Sequence, residues 1–244
     1  MSVVIITGGA RRMGRALALR FAERGYDVGI TYRRSQEEAM ATLDEVRAHG
    51  VRCSMQSCDV SDDTALARAL QGLADDLGPC GVVVSNAGVF PDPQPAVSIA
   101  PDLVRATIGT NTMPVLTIAQ WYGALLTAQG RTGRLVSIGS LGALELWKDR
   151  LAYNVSKSAL LTMTQALARG MAPVMTVNTV APGAILLSDD PSPADAAMAR
   201  MERIPMGRHG NADDIFDAVW FYATASTYIT GQLIAVDGGY HLVR

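Results

Sequence analysis

The chain has 244 residues with a formal net charge of −2, and 49% of its residues are hydrophobic. A chain of this length can bury a sizeable core, and its near-neutral charge argues against binding to nucleic acid or to an anionic membrane surface. The cysteines and histidines lack the spacing of a metal site, so we expect free thiols and no catalytic metal.

Strands and helices alternate along the chain. We predict strands, in chain order, at residues 3–6, 27–32, 52–57, 81–85, 133–138, 175–180 and 233–236. Helical patterns lie between them at residues 37–49, 62–76, 102–128, 151–172 and 212–225. This alternation predicts an α/β fold: a Rossmann-type, doubly wound parallel sheet of about seven strands with helices on both faces. No linker divides the chain, so we expect one domain over residues 1–244, with a mobile lid at 186–203.

The first predicted strand leads into a glycine turn and then a helix. Thr-Gly-Gly-Ala-Arg-Arg-Met-Gly occupies residues 7–14. Gly8 permits a tight turn, and Gly14 allows the helix to pack closely against the sheet. The N-terminus of that helix presents N–H groups and a partial positive charge, which suit a pyrophosphate. The predicted dinucleotide-binding residues of this turn are Gly8, Arg11, Arg12, Met13 and Gly14.

Arginine side chains surround this predicted site. Arg12 stands where the dinucleotide fingerprint usually has its middle glycine, so we expect its guanidinium to project into the cleft. The second strand ends without the acidic residue that usually binds a ribose 2′-hydroxyl. In its place the sequence has Tyr32, Arg33, Arg34 and Ser35, with Arg11 expected nearby. Because guanidinium groups match phosphate oxygens, we predict a 2′-phosphate at this position and NADP(H) as the cofactor.

A phenol and an ammonium group share one face of the predicted helix 151–172. Tyr153 and Lys157 are four residues apart, and such residues lie side by side on a helix. A nearby cation favours the phenolate, so Lys157 is expected to lower the pKa of Tyr153 from its ordinary value of about 10. Such a phenol can exchange a proton with a reacting oxygen or nitrogen. A surface tyrosine and lysine on an amphipathic helix is the alternative that the pair alone leaves open.

Further motifs follow in order along the chain. They are Cys-Asp-Val at 58–60, Asn-Ala-Gly at 86–88, Asn111 in Asn-x-x-Pro, Ser140 after strand 133–138, Asn-Thr-Val-Ala-Pro-Gly at 178–183 and Val-Asp-Gly-Gly at 236–239. Together with the glycine turn and the tyrosine–lysine pair, this ordered set resembles the short-chain dehydrogenase/reductase family from end to end.

The resemblance implies a role for each site residue. Tyr153 would be the general acid as hydride leaves the nicotinamide, and Lys157 would hydrogen-bond the nicotinamide ribose. Ser140 would hold the reacting oxygen, and Asn111 would steady a water that links Lys157 to solvent. The hydride chemistry belongs to the cofactor. The further cofactor-binding residues that it implies are Asp59, Val60, Asn86, Ala87, Gly88, Pro182 and Gly183. It also implies a homotetramer, with helices 102–128 and 151–172 in one interface and the C-terminus in another.

The substrate is open between two branches of the family. Arg12, the Tyr-Arg-Arg-Ser run at 32–35 and Phe90 resemble the pteridine reductases, including the bacterial dihydromonapterin reductases. In that branch an aromatic side chain at the position of Phe90 stacks on the pterin ring. Ser140, however, is typical of carbonyl reductases such as 3-oxoacyl-(acyl carrier protein) reductases, whereas the pteridine branch commonly has aspartate there. Phe90 can equally be an aromatic side chain that covers apolar surface.

Two non-catalytic functions are alternatives, a nucleotide-binding regulator and a structural subunit. Loss of Tyr153 or Lys157 would favour a regulator, and both residues are present. A structural subunit would not need arginines around a phosphate position. We therefore expect an enzyme with a small-molecule substrate and no nucleic-acid or membrane partner. Because no run of about 18 apolar residues occurs and the first strand begins at residue 3, we expect no signal peptide and a cytoplasmic location.

Overall fold

One parallel sheet organises the chain, which a computed structural model describes over residues 2–187 and 201–243. The seven strands of this described part are β1 (Val3–Ile6), β2 (Asp27–Tyr32), β3 (Cys53–Ser57), β4 (Cys80–Ser85), β5 (Gly133–Ile138), β6 (Met175–Pro182) and β7 (Leu233–Val236). They lie in the order β3-β2-β1-β4-β5-β6-β7, and every neighbouring pair is parallel. The order reverses between β1 and β4, which is where ligands bind in open α/β sheets.

Helices cover both faces of the sheet, as predicted. They are α1 (Arg12–Glu23), α2 (Gln36–Ala48), α3 (Asp63–Leu77), α4 (Pro101–Asn111), α5 (Met113–Gln129), α6 (Gly142–Glu145), α7 (Leu151–Met171) and α8 (Ala212–Thr224). Side chains of β1 alternate between two cores: Val4 and Ile6 pack with α1, α2 and α8, whereas Val3 and Ile5 pack with α3, α5 and α7. This two-sided burial explains why the strand is a continuous β-branched run.

The single helix predicted over residues 102–128 was wrong, because the structure has two helices there. Thr112 lies between α4 and α5 with φ −114° and ψ −53°. The N–H of Val115 donates to the carbonyl of Thr112 at 3.1 Å. Pro114 is the physical cause, since its ring lacks an N–H and crowds the carbonyl four residues earlier. The break makes Asn111 the last residue of α4, beside the cleft.

Other differences from the predicted elements are small. The strands β4 and β6 extend beyond their predicted bounds, and the short helix α6 was not predicted. Most of the predicted lid, residues 188–200, lies outside the described residues. Of the described part of that stretch, Leu186 donates its N–H to the carbonyl of Gly210 at 2.9 Å. Over residues 2–187 and 201–243, no helix has the length and apolar character needed to cross a membrane.

Candidate active site

A cavity of about 790 Å³ opens at the carboxyl ends of the strands. Loops that follow β1, β2, β3, β4, β5 and β6 line it, so it occupies the position where α/β sheets bind ligands. The predicted site residues on its wall are Gly8, Arg11, Arg12, Met13, Gly14, Tyr32, Arg33, Arg34, Ser35, Asp59, Val60, Asn86, Ala87, Gly88, Phe90, Ser140, Tyr153, Lys157, Pro182 and Gly183. Asn111 is the predicted site residue that does not line it.

The turn after β1 has the geometry that its glycines predict. Gly8 has φ +67°, in the left-handed region that favours glycine. A Cβ atom on Gly14 would lie 2.1 Å from the Gly8 carbonyl oxygen, so no side chain fits there. Asn86 donates from Nδ2 to the carbonyl of Thr7 at 2.9 Å, and Thr7 Oγ1 accepts from the Asn86 N–H at 3.0 Å. Thr7, which sequence reasoning did not single out, therefore couples the loops after β1 and β4.

The N-terminus of α1 faces this turn and is suited to an anion. The N-cap residue Arg11 makes no side-chain cap, and the first turn contains no acidic residue. The first residues of the helix line the cavity, and their N–H groups have no competing side-chain cap or carboxylate of that turn. Arg12 has φ +52°, which costs a non-glycine residue about 1–2 kcal/mol. The backbone thus adopts the conformation expected of the glycine that Arg12 replaces, and the arginine lines the cavity.

Three exposed arginines border the end of the cavity near β2 and β3. Arg33 Nη1 lies 3.2 Å from Asp59 Oδ2, with the two side chains 49% and 42% exposed. Hydrogen bonds from Ser61, and then the Arg33 guanidinium, hold the pKa of Asp59 below its usual value. Among the described residues, Arg11 and Arg34 make no ion pair. Since an exposed ion pair is worth little, all three cations remain available to a ligand anion.

Tyr153 and Lys157 project from α7 into the opposite end of the cavity. Lys157 is 5% exposed and donates from Nζ to the carbonyl of Ile138 at 2.9 Å. Its burial lowers the pKa of Lys157 to about 8. The Nζ atom lies 5.9 Å from the centroid of the Tyr153 ring. The alternative of a solvated surface pair is therefore wrong, because the ammonium is buried and both residues line the cavity.

Ser140 lies just beyond β5, on the same side of the cavity. Its side chain is buried, and Oγ accepts a hydrogen bond from the N–H of Gly142 at 3.1 Å. The flanking backbone is held by β6, since Leu141 donates its N–H to the carbonyl of Pro182 at 2.9 Å. With Oγ acting as acceptor for one protein group, the hydroxyl hydrogen remains available for a ligand oxygen.

Asn111 contacts backbone behind the cavity wall. Its Oδ1 accepts from the Val89 N–H at 2.7 Å, and its Nδ2 donates to the Val89 carbonyl and to Ser156 Oγ, each at 3.0 Å. A Cβ atom on Gly88 would lie 3.1 Å from Asn111 Oδ1 and 3.8 Å from Lys157 Nζ. Asn111 and Lys157 therefore flank the same glycine, although Asn111 itself positions the loop after β4.

Two cavity-lining side chains that sequence reasoning missed surround Phe90. The ring of Trp147 is nearly parallel to that of Tyr153, with centroids 6.1 Å apart and an interplanar angle of 10°. Phe90 meets Tyr153 edge to face, with centroids 4.5 Å apart. The guanidinium of Arg150 lies over the Phe90 ring, 4.1 Å from its centroid. Their position between Ser140 and Tyr153 in the sequence is the signal that could have indicated them.

The described residues show no metal centre. Within that part of the chain, no group of three or more His, Cys, Asp or Glu side chains is placed to hold an ion. The cysteines Cys53, Cys58 and Cys80 are free thiols.

Comparison with known proteins relates the chain to a family of oxidoreductases. The chain matches the family model described as enoyl-(acyl carrier protein) reductase over residues 8–241. It is 33% identical to a cyclohexanol dehydrogenase from Rhodococcus sp. (strain TK6), over 97% of this chain and 95% of that protein. It is 30% identical to the 3-oxoacyl-(acyl-carrier-protein) reductase FabG of Staphylococcus aureus (strain Mu50 / ATCC 700699), over 98% and 97% of the two chains. The structure of FolM, alternative dihydrofolate reductase 1, from Brucella canis complexed with NADP, matches with a TM-score of 0.89 at 27% identity, over 100% of this chain and 95% of that chain.

Proposed function

Since the chain belongs to the short-chain dehydrogenase/reductase family of oxidoreductases, we propose that it is an NADPH-dependent reductase of a C=O or C=N group in a small molecule. The observation that carries the proposal is the arrangement of one cavity. Tyr153, Lys157 and Ser140 line one end, and the arginines after β1 and β2 border the other. A proton donor and a phosphate-binding end are the two requirements of this chemistry.

The residues present fit a dinucleotide that carries a 2′-phosphate. The uncapped N-terminus of α1 suits the pyrophosphate, and the lack of space at Gly14 keeps the helix close to the turn. Arg11, Arg33 and Arg34 would hold the 2′-phosphate, and Asp59 would lie near the adenine. Lys157 would bind the nicotinamide ribose. The NADP complex of FolM, whose fold this chain shares, supports this choice of cofactor.

The nicotinamide, when bound, supplies the hydride; the chain's own residues handle the proton and the charge. Tyr153 would donate its phenolic proton to the reacting oxygen or nitrogen. The buried ammonium of Lys157 would stabilise the resulting phenolate, because charge interactions are strong away from water. Ser140 would donate a hydrogen bond to the same reacting atom. Asn111 would hold a water that returns a proton from solvent, since it and Lys157 flank Gly88.

A pterin is the substrate that we favour within this class. Arg12 retains a left-handed backbone at the mouth of the cofactor cleft, and such strain is kept where it serves a site. Phe90 is 37% exposed and lines the cavity next to Tyr153, where a flat ring would contact it. The likeness to FolM supports the same choice. A 3-oxoacyl thioester or another carbonyl compound is the second candidate, because Ser140 and the likeness to FabG favour it.

We also propose that the protein acts as a homotetramer. Large apolar side chains are exposed on the helices expected in one interface: Met113 on α5, and Leu151 and Val155 on α7, each 37–43% exposed. Association of this face with a second copy would remove them from water. Sedimentation velocity would test the assembly state.

A substrate panel tests the proposed function. NADPH oxidation should be measured with pterins, dihydrofolate, quinones and β-ketoacyl thioesters. We expect turnover of a pterin, and Tyr153→Phe should lose at least about a hundredfold in turnover while NADPH affinity is kept. Reduction of a β-ketoacyl thioester without reduction of any pterin would favour the second candidate. NADPH binding without turnover of any compound would favour a nucleotide-binding regulator.

A further inference from the structure

Arg150 is a half-buried cation on the cavity wall that pairs with no acidic residue of the described part of the chain. None of its nitrogen atoms lies within 4.0 Å of a carboxylate oxygen of the described residues. Two acidic residues of the described chain line the cavity: Asp59, which pairs with Arg33, and Asp92. Asp92 is exposed and forms no ion pair with Arg150. An anionic ligand would offset the cost of removing this cation from water.

The guanidinium of Arg150 is held in place by its own loop contacts. Nη1 donates to the carbonyl of Pro91, and the guanidinium lies over the Phe90 ring. The N–H of Gln94 donates to the carbonyl of Asp149 at 2.8 Å, which joins the same two loops a second time. A guanidinium has five N–H donors, and its described hydrogen bond uses one of them. The fold therefore positions further N–H donors of Arg150 that have no acceptor among the described residues.

Three rings beside Arg150 form an aromatic corner, which consists of Phe90, Trp147 and Tyr153. Phe90 is close to perpendicular to both other rings, with interplanar angles of 84° and 89°. Asn154 donates from Nδ2 to the Trp147 carbonyl at 2.7 Å, so the backbone of Trp147 is fixed to the helix that carries Tyr153. A flat ring placed near Tyr153 would contact Trp147 or Phe90 through its face or edge.

We propose that Arg150 is a specificity-determining residue, and that the preferred substrate is a flat conjugated ring that carries an anionic group such as a carboxylate. The aromatic corner contacts the ring, and Arg150 binds the anion. A planar guanidinium matches a carboxylate through parallel N–H···O bonds, which makes it more selective than a point charge. This inference rests on the proposed function, because it places the substrate at the Tyr153 end of the cavity.

The alternative role of Arg150 is a purely structural one, as a clamp between the two loops. If Arg150 is only a clamp, its replacement should change the affinity for neutral and anionic ligands equally. If Arg150 binds an anion, its replacement should change the affinity for anionic ligands alone. The ratio of the two affinities therefore separates the two roles.

Benzoate and benzamide provide that ratio, since they have nearly the same shape and differ in charge. Their dissociation constants should be measured by calorimetry with the full-length protein saturated with NADP⁺. We expect benzoate to bind at least about tenfold more tightly than benzamide, as one charge-assisted contact allows. Arg150→Met should remove this preference and leave benzamide affinity unchanged, whereas Arg150→Lys should retain part of it. Arg105→Met, which changes an exposed arginine paired with Asp102, should retain all of it.

Equal affinity for benzoate and benzamide, or no binding of benzoate, would overturn the proposal. An equal loss of both affinities in Arg150→Met would show that Arg150 is only a clamp. Turnover is not needed for this measurement, so its result is independent of the reductase assay. A kinetic comparison of 4-acetylbenzoate with its neutral methyl ester tests the reductase function and the role of Arg150 separately. Reduction of the ester would support the reductase function. A higher kcat/KM for the acid than for the ester would support the binding of the carboxylate by Arg150, and equal values would contradict it.

Discussion

Lys157 provides a direct test of the electrostatics of the site. Its ammonium is buried against the carbonyl of Ile138, and this burial lowers the pKa of Lys157 from 10.5 to about 8. Between these two pH values the unfolded chain binds one more proton than the folded chain at this residue. The free energy of unfolding should therefore rise with pH across that window because of Lys157, and Lys157 should contribute no pH dependence below about pH 7.

The size of this effect follows from the shift. Each pKa unit corresponds to about 1.4 kcal/mol, so the whole shift is on the order of 3 kcal/mol between pH 8 and pH 10.5. Other groups also titrate in this range, and the comparison must therefore be with Lys157→Met, which keeps an unbranched side chain of similar length without the charge. Between pH 8 and pH 10.5 the stability of the unaltered protein, measured by urea unfolding without cofactor, should increase by about this amount relative to that of Lys157→Met.

The chain has two lysines, Lys148 and Lys157, which makes a direct titration feasible. Nuclear magnetic resonance of ¹³Cε-labelled lysine should give two signals, and Lys148→Met assigns them and serves as the exposed control. We expect the Lys157 signal to titrate near pH 8. The second-order rate constant for NADPH, kcat/KM, should fall up to tenfold per pH unit above this value, because it reports the free enzyme. A Lys157 signal that titrates above pH 10, with parallel stability curves for the two proteins, would refute this reasoning.

Three other variants test the remaining parts of the site. Arg33→Ala combined with Arg34→Ala should lower the preference for NADPH over NADH in kcat/KM by at least about tenfold, since each charge-assisted contact is worth about 1.5–3 kcal/mol. Gly14→Ala should prevent cofactor binding, measured by NADPH fluorescence titration, because its Cβ would lie 2.1 Å from the Gly8 carbonyl oxygen. Phe90→Ala should lower kcat/KM for a pterin roughly tenfold, and that for a small aliphatic ketone much less, because it removes a ring contact.

Each of these variants has a control or a contrary outcome. Arg47→Ala, which removes an exposed arginine paired with Asp44, should leave the coenzyme preference unchanged. Gly170→Ala should fold and bind cofactor normally, because, apart from its chain neighbours and the backbone of its own helix, no atom of the described residues lies within 4 Å of the added Cβ. Equal efficiency of the unaltered enzyme with NADPH and NADH would mean that the arginines do not contact a phosphate. A uniform effect of Phe90→Ala on both substrates would indicate a structural role for that ring.

Local patterns in the sequence predicted most of the architecture. The β-branched run at Val3–Ile6 predicted a strand buried on both faces, and the glycines that follow it predicted a turn. These inferences were reliable because strand periodicity and turn conformation depend on residues close in sequence. The prediction of one long helix over 102–128 was wrong for a local reason as well. Pro114 interrupts the hydrogen-bond pattern, and the sequence already contained this signal.

The presence of Tyr153 and Lys157 together at one end of the cavity was predictable for a different reason. Tyr153 and Lys157 are one helical turn apart, so their spacing alone places them on one face. The spacing did not indicate whether that face is buried. Packing of α7 against β5 decides this, since it brings Lys157 Nζ to the carbonyl of Ile138 and removes the ammonium from water. The pKa of about 8 is therefore a property of the tertiary structure.

The sequence by itself determined the order of strands and helices, the glycine turn and the spacing of the tyrosine and lysine. All of these depend on the conformation of short segments. Only the tertiary structure decided that Arg33 contacts Asp59 and that Asn111 holds the backbone of Val89. It also decided that Arg150 lies over the ring of Phe90. These contacts join residues from 22 to 60 positions apart, and such pairs meet only when separate elements pack on one sheet.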